Sequence, residues 1–280
     1  MTQDTRHAQG SLKGFGWNAA WGSILGVALL SGAGIWVEEE FVPATHHTTP
    51  DSLHHHEDEA DRMKGQDLLA RALAEFAKVD EYRMEMRKKE RLNGKLGAEQ
   101  TVVVSVRQKP FKVHMAWKEP KALTGQEAVF CYHSNPQKMK GKSAGFLGNI
   151  GFVTMNLDDP MARATSRHGI DEAGFQNLLS RLKNSWDRWD DEFETKVHVT
   201  ECEIDGKTCT TVDVLQDPES RDLNEFARTI ISFAADTGFP VRMELYGWSE
   251  TGDGAGELLE SYQYGKLELN PGLPEEFHKK

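Results

Sequence analysis

The stretch "VRQKPFKVHMAW", Val106–Trp117, decides how the chain is read, because its apolar residues recur at every second position and then change phase. Val102, Val104 and Val106 occupy even positions, whereas Phe111, Val113, Met115 and Trp117 occupy odd ones. Pro110 and the cations Arg107, Lys109 and Lys112 are packed around the change. Strand side chains alternate between faces, so a one-residue slip exchanges the apolar face for the solvent face unless a bulge or bend absorbs it. Proline cannot donate to a strand ladder and belongs at such a break. The expectation is two strands meeting at a corner around Gln108-Lys109-Pro110, which gives a sheet strong curvature.

Working outward, "EYRMEMRKKERLNGKLGAEQTVVVSVR" alternates Tyr82, Met84 and Met86 before an Asn93-Gly94 turn signal and alternates valines after it, predicting a long hairpin. "GQDLLARALAEFAKV" places Leu69, Ala72, Leu73, Phe76 and Val79 on one helical face. Downstream, "GQEAVFCYHSN" and "GFVTMNL" read as strands, with the glycine-rich "KMKGKSAGFLGN" between them as a loop. "GIDEAGFQNLLSRLKNSWDRWDDE" is a second helix carrying Phe175, Leu178, Leu179, Leu182, Trp186 and Trp189 on one face, with Asp171 as its N-cap. "HVTECEIDGKTCTTVDVL" is a hairpin about Asp205-Gly206 that sets Cys202 opposite Cys209 at a Cα separation of about 5.5 Å, within disulfide range. "LNEFARTIISF" is ambiguous between helix and strand, while "ADTGFPVRMEL" and "ELLESYQYGKLELN" end the chain as strands. Together these elements predict an α+β domain with a large, strongly curved antiparallel sheet.

The folded part is preceded by other kinds of sequence. After a short tail, 1–13, no charge occurs from 14 to 37, in "GFGWNAAWGSILGVALLSGAGIWV". As a helix this segment is long enough to cross a hydrocarbon core of roughly 30 Å. Arg6 and Lys13 precede it and "EEE" follows, so the bulk of the chain is expected outside the cytoplasm, in the cell envelope. Two readings stay open: an uncleaved membrane anchor, or a signal peptide cut near Ser31-Gly32-Ala33. Residues 38–62 carry a net charge of −7 and five of the eleven histidines, His46, His47, His54, His55 and His56. That composition is expected of a disordered tether, and imidazoles beside carboxylates also make it a weak candidate for loosely held metal. The domain proper is expected over 63–280.

Several collinear stretches, "KERLNGKLGAEQ", "VRQKPFKVHMAW", "SRHGIDEAGFQNLL", "IDGKTCT", "TGFPVRMELYGW" and "LLESYQYGKLELNPGLPEEF", resemble the bacterial family called domain of unknown function 1571, over roughly 66–278. More distantly the chain is similar to periplasmic lipoprotein carriers of the LolA, LolB and RseB-like kind. That resemblance implies an open β half-barrel covered by helices, with an apolar concave face that takes acyl chains or a protein partner.

No P-loop, dinucleotide fingerprint, zinc-protease motif or nucleophile elbow occurs, and no basic field for nucleic acid is visible. "SRHGIDE" gathers Ser166, Arg167, His168, Asp171 and Glu172, but its expected role is structural, with Arg167 paired to a carboxylate. A non-catalytic binding module without cofactor is therefore expected, taking a lipid, acyl chain or lipoprotein, or alternatively a protein partner, on the concave face. The candidates for that face are Met84, Met86, Val104, Phe111, Met115 and Trp117, with Trp186 and Trp189 from the covering helix. Arg107, Lys109 and Lys112 are candidates for the cavity mouth, where they would meet an anionic head group.

Overall fold

A computed structural model describes residues 51–163, 165–188, 195–251 and 254–277. The apolar segment 14–37, His46, His47 and Trp189 lie outside the described residues, and so do the side chains of His54, His55 and His56. Helix α1 (Asp51–Phe76) leads into β1 (Glu81–Leu92), β2 (Lys95–Leu96), β3 (Gln100–Arg107), β4 (Lys112–Glu119), β5 (Glu127–Cys131), β6 (Lys138–Lys142) and β7 (Val153–Asn156). Helices α2 (Pro160–Arg163) and α3 (Phe175–Trp186) follow, and then β8 (Lys196–Ile204), β9 (Lys207–Leu215), β10 (Arg228–Ala234), β11 (Pro240–Trp248) and β12 (Ala255–Leu269). Antiparallel pairing joins the strands in the order β7-β6-β5-β4-β3-β1-β12-β11-β10-β9-β8, with β2 attached to β1. The ends of this order, β7 and β8, are not paired to each other, so the sheet is open.

The phase change around Pro110 has a different cause from the expected corner. β3 and β4 are hairpin partners, Arg107 facing Lys112, Val106 facing Val113 and Val104 facing Met115. Four residues, 108–111, connect them, so every even residue of β3 meets an odd residue of β4 on the same face. The parity reversal is what antiparallel pairing across a loop of even length requires, and Pro110 sits in the connection where no ladder donor is needed. The Asn93-Gly94 signal holds: both residues have positive φ, 50° and 76°, and they join Leu92 to Lys95 as the two-residue turn that glycine favours.

Curvature comes from the sheet as a whole. Met155 on β7 and Val214 on β9, nine strands apart in the order, line one and the same cavity, so the sheet wraps round it. The ambiguous segment before Asp236 is strand β10, and the glycine-rich "KMKGKSAGFLGN" is half strand: β6 followed by a 3₁₀ helix, Gly145–Ile150.

Helix α1 begins at Asp51, inside the stretch expected as tether. Its last residues before 63 are tied to the sheet, Arg62 donating to the carbonyl of Thr195 and Asp61 accepting from the amide of Val199 at 2.9 Å. Its buried face, Leu69, Ala72 and Phe76, follows helical spacing. α3 buries Phe175, Leu179, Leu182 and Trp186, as the sequence pattern predicts. Its N-cap position is Gly174 rather than Asp171, which lies in a preceding 3₁₀ turn, Ile170–Glu172. Gly174 has φ +104°, and a Cβ there would stand 2.3 Å from the Tyr82 hydroxyl, so no other residue fits. The space is taken by a hydrogen bond: the amide of Phe175 donates to that hydroxyl at 2.8 Å.

The 202–209 pairing in the β8–β9 hairpin is as expected, but the disulfide is not formed. Cys202 Sγ lies 3.1 Å from Thr211 Oγ1, and the Cys209 thiol donates to the carbonyl of Lys207 at 3.2 Å. Burial pushes the Cys209 thiol up, away from the reactive thiolate.

Candidate functional site

The inward face of the sheet follows from its registers. Met86, Val102 and Trp117 form one row across β1, β3 and β4, and Met84, Val104, Met115 and Ala128 form the next, reaching β5. These rows bound a cavity of about 890 Å³ that α3 covers from the other side, a size typical of sites for sizeable organic ligands. Six of the nine methionines face it: Met84, Met86, Met115, Met139, Met155 and Met243. Methionine is unbranched and polarizable, so a wall built of it adapts to guests of differing shape. Trp117 and Trp186 add rigid apolar surface, Trp117 being fixed by its indole N–H, which donates to Gln100 Oε1 at 2.8 Å.

Of the residues expected on this face, Met84, Met86, Val104, Met115, Trp117 and Trp186 line the cavity. Phe111 does not; it packs edge-on against Phe130, ring centroids 6.0 Å apart. The three cations expected at the mouth are not among the residues that line the cavity. Arg107 pairs with Glu81 at 2.8 Å and donates to the carbonyl of Leu273, clamping the C-terminal segment. Lys112 is buried, with Nζ 3.7 Å from Glu275, and Lys109 is exposed in the turn. Burial pushes the Glu81 carboxyl up, but hydrogen bonds from the Leu273 amide and Arg107 outweigh it and hold the group below its ordinary value.

One patch of the wall is polar. β1 keeps its inward phase beyond Met86, so Lys88 and Glu90 point the same way as the methionines, and Glu90 faces Glu260 directly across β1 and β12. Glu260 is fully buried. Two adjacent buried carboxylates repel unless cations and donors surround them, and here they do. Lys88 reaches Glu90 at 3.1 Å, Arg167 and His168 reach Glu260 at 2.7 and 2.9 Å, and the Tyr262 hydroxyl lies 2.7 Å from Glu90 and 3.1 Å from Glu260. Desolvation pushes Glu260 up, yet hydrogen bonds and charge from His168 and Arg167 prevail and lower it. The same hydrogen bond to Glu260 raises His168 above its ordinary value of 6.5. Burial between these carboxylates drives the Tyr262 hydroxyl far up, so it stays a neutral donor.

Arg167 therefore pairs with carboxylates, Glu260 and Glu225, as the sequence predicts. The arrangement pins residues 166–168 to the sheet wall: Ser166 Oγ and the Arg167 amide both lie 3.3 Å from Glu90. Sequence reasoning missed Lys88, Glu90, Glu260 and Tyr262. The available signal is that they continue the buried phase of two strands, where a charge demands partners from elsewhere in the chain.

The chemistry of this patch is that of a saturated ion-pair network rather than a nucleophile with its base. Among the described residues no group of three or more His, Cys, Asp or Glu side chains is arranged to hold a metal ion, and no helix is long and apolar enough to cross a membrane.

An open antiparallel sheet whose inner face is an apolar cavity defines the class of architecture. Residues 79–280 match the model of a family described as protein of unknown function, DUF1571, and the chain belongs to that family. Among solved structures it is similar to the lipoprotein LppX of Mycobacterium tuberculosis, at 16% identity over 75% of this chain and 98% of that one, with a TM-score of 0.42. It is similar also to a chain of the Pseudomonas aeruginosa MucA/MucB complex, at 16% identity over 75% and 58%, TM-score 0.40. A LolA superfamily protein from Nitrosomonas europaea matches at 12% identity over 77% and 97%, TM-score 0.32. No curated protein matches the sequence.

Proposed function

We propose that the chain is a non-catalytic binding protein of the cell envelope, working on the extracytoplasmic side, that holds an acyl chain of a lipid or lipoprotein in the cavity. The observation that carries this reading is the cavity itself: about 890 Å³ lined by six methionines and two tryptophans. Leaving so much apolar surface unfilled forgoes contacts that a self-filled core would make, and an apolar guest supplies them. The ion-pair network on one wall is satisfied internally, so it shapes the cavity without requiring a charged ligand. Residues 14–37 supply the route to the membrane, as anchor or as export signal. The alternative occupant, a protein partner, would insert an apolar side chain or segment into the same space.

Titration with a fluorescent fatty acid tests the reading. Saturable binding that unlabelled palmitate displaces and that Met115→Trp weakens is the expected result. Absence of saturable binding, or binding indifferent to substitutions in the cavity wall, would remove the lipid reading and leave the partner.

A further inference from the structure

The chain carries a net charge of −11, yet from Ala128 to Leu157 there is no Asp or Glu, while Lys138, Lys140 and Lys142 all fall inside that run. The run forms most of β5, all of β6 and β7, and the 3₁₀ helix Gly145–Ile150, at the β7 edge of the sheet. Exposed apolar side chains concentrate in the same place. Of eight large hydrophobic residues exposed among the described residues, five belong to it: Tyr132, Phe146, Leu147, Ile150 and Val153, with Phe146 87% and Ile150 73% exposed. Single exposed apolar residues are ordinary, but a cluster of them marks an interaction surface.

Charge and position together select the partner. On β6 the buried Met139 faces inward, and Lys138 and Lys140, on the opposite phase, are exposed on the outside. Lys142 is paired with Glu127 at 3.2 Å, so the exposed lysines of this strand are Lys138 and Lys140. An apolar tip flanked by these two lysines suits an anionic lipid surface, where each lysine strengthens adsorption about fivefold and the apolar side chains enter the acyl boundary. Leu147, Ile150 and Val153 are also part of the cavity lining, at its open rim. We infer that the edge formed by Lys138–Val153 docks onto anionic phospholipid bilayers, with Phe146, Leu147 and Ile150 inserted and the cavity mouth facing the membrane. This surface stands whether or not the cavity holds lipid, because its evidence is exposure and charge segregation.

The test must separate this edge from any membrane binding by residues 14–37, so it reads position. An environment-sensitive dye is placed on Phe146→Cys in the full chain with Cys131, Cys202 and Cys209 replaced by alanine, and a control dye on Lys207→Cys, exposed near the opposite edge. With phosphatidylcholine vesicles containing phosphatidylglycerol, the dye at 146 is expected to shift to the blue and to be quenched by brominated acyl chains, while the dye at 207 is not. Adding Lys138→Glu with Lys140→Glu should weaken the response at least about tenfold, and high salt should weaken it as well. A dye at 146 that stays in water, that responds no more than the dye at 207, or that ignores the lysine reversal overturns the inference. Burial of that dye only by added envelope protein, never by vesicles, overturns it in favour of a protein partner. Phe146, Lys138 and Lys140 do not line the cavity, so fatty-acid titration of Phe146→Ser and of the lysine variant reports on the cavity separately.

Discussion

Two ends of one concave face are built from different materials. Where α1 and α3 meet the sheet, aromatic rings interlock: Phe76 sits edge-on to Tyr82, Phe175 and Phe239 at 6.0 to 6.3 Å, and Tyr82 stacks on Phe175 at 5.3 Å. Towards β4–β7 the same face presents Met115, Met139, Met155 and Trp117 to an open cavity. Rings with defined contact geometry hold helices to sheet in one arrangement. Thioether chains leave volume and accept whatever fills it. One end fixes the helices on the sheet, and the other borders the cavity.

The largest effect should come from breaking the packed end. Phe175→Ala removes a fully buried ring from between Tyr82, Phe239 and Tyr264, and should cost about 3–5 kcal/mol in a urea unfolding titration. Glu260→Ala should approach the same size, about 3–5 kcal/mol, since it leaves Arg167 and His168 without their buried partner. Tyr82→Phe deprives the buried amide of Phe175 of its acceptor and should cost about 1–3 kcal/mol. At the open end Met115→Ala should cost less than Phe175→Ala, about 2 kcal/mol, because the side chain already borders empty space, while altering fatty-acid affinity more than any of the others. A cost for Met115→Ala equal to that for Phe175→Ala would erase the distinction between the two ends.

The polar patch makes stability depend on pH. His168 is raised, so its contribution to stability is complete below its ordinary value of 6.5 and is lost as pH rises through the higher folded value. Glu260 is lowered, so its contribution is complete above its ordinary value of 4.5 and is lost as pH falls through the lower folded value. The stability gap between wild type and His168→Gln should therefore be widest between these ordinary values and narrow on either side. A gap that grows steadily towards alkaline pH would show the pair assigned wrongly.

The sequence was legible where one periodicity governs one element. Helical spacing identified the buried faces of α1 and α3, and the turn residues Asn93-Gly94 and Asp205-Gly206 located two hairpins. The phase change at Pro110 is visible in the sequence but its cause is not, because a slip within a strand and an even loop between two strands leave the same parity; only the pairing partner separates them. For the same reason Arg107, Lys109 and Lys112 were expected at the mouth of a cavity that they do not line. Six of the cavity candidates were legible since inward phase alone places them. The Glu90–Glu260 contact was not, because their strands are 170 positions apart and polar residues in an inward phase look, in one dimension, like the end of a buried strand.

Native mass spectrometry of the protein extracted from membranes shows whether the methionine-lined cavity holds an apolar guest. Wild type is compared with Met115→Trp/Met243→Trp, which narrows the cavity from β4 and β11 at once. Wild type should carry an added mass equal to a lipid or fatty acid, and the filled variant, with its melting temperature retained, should carry none. No lipid on wild type, or equal lipid on both, would mean that the cavity is not a lipid site.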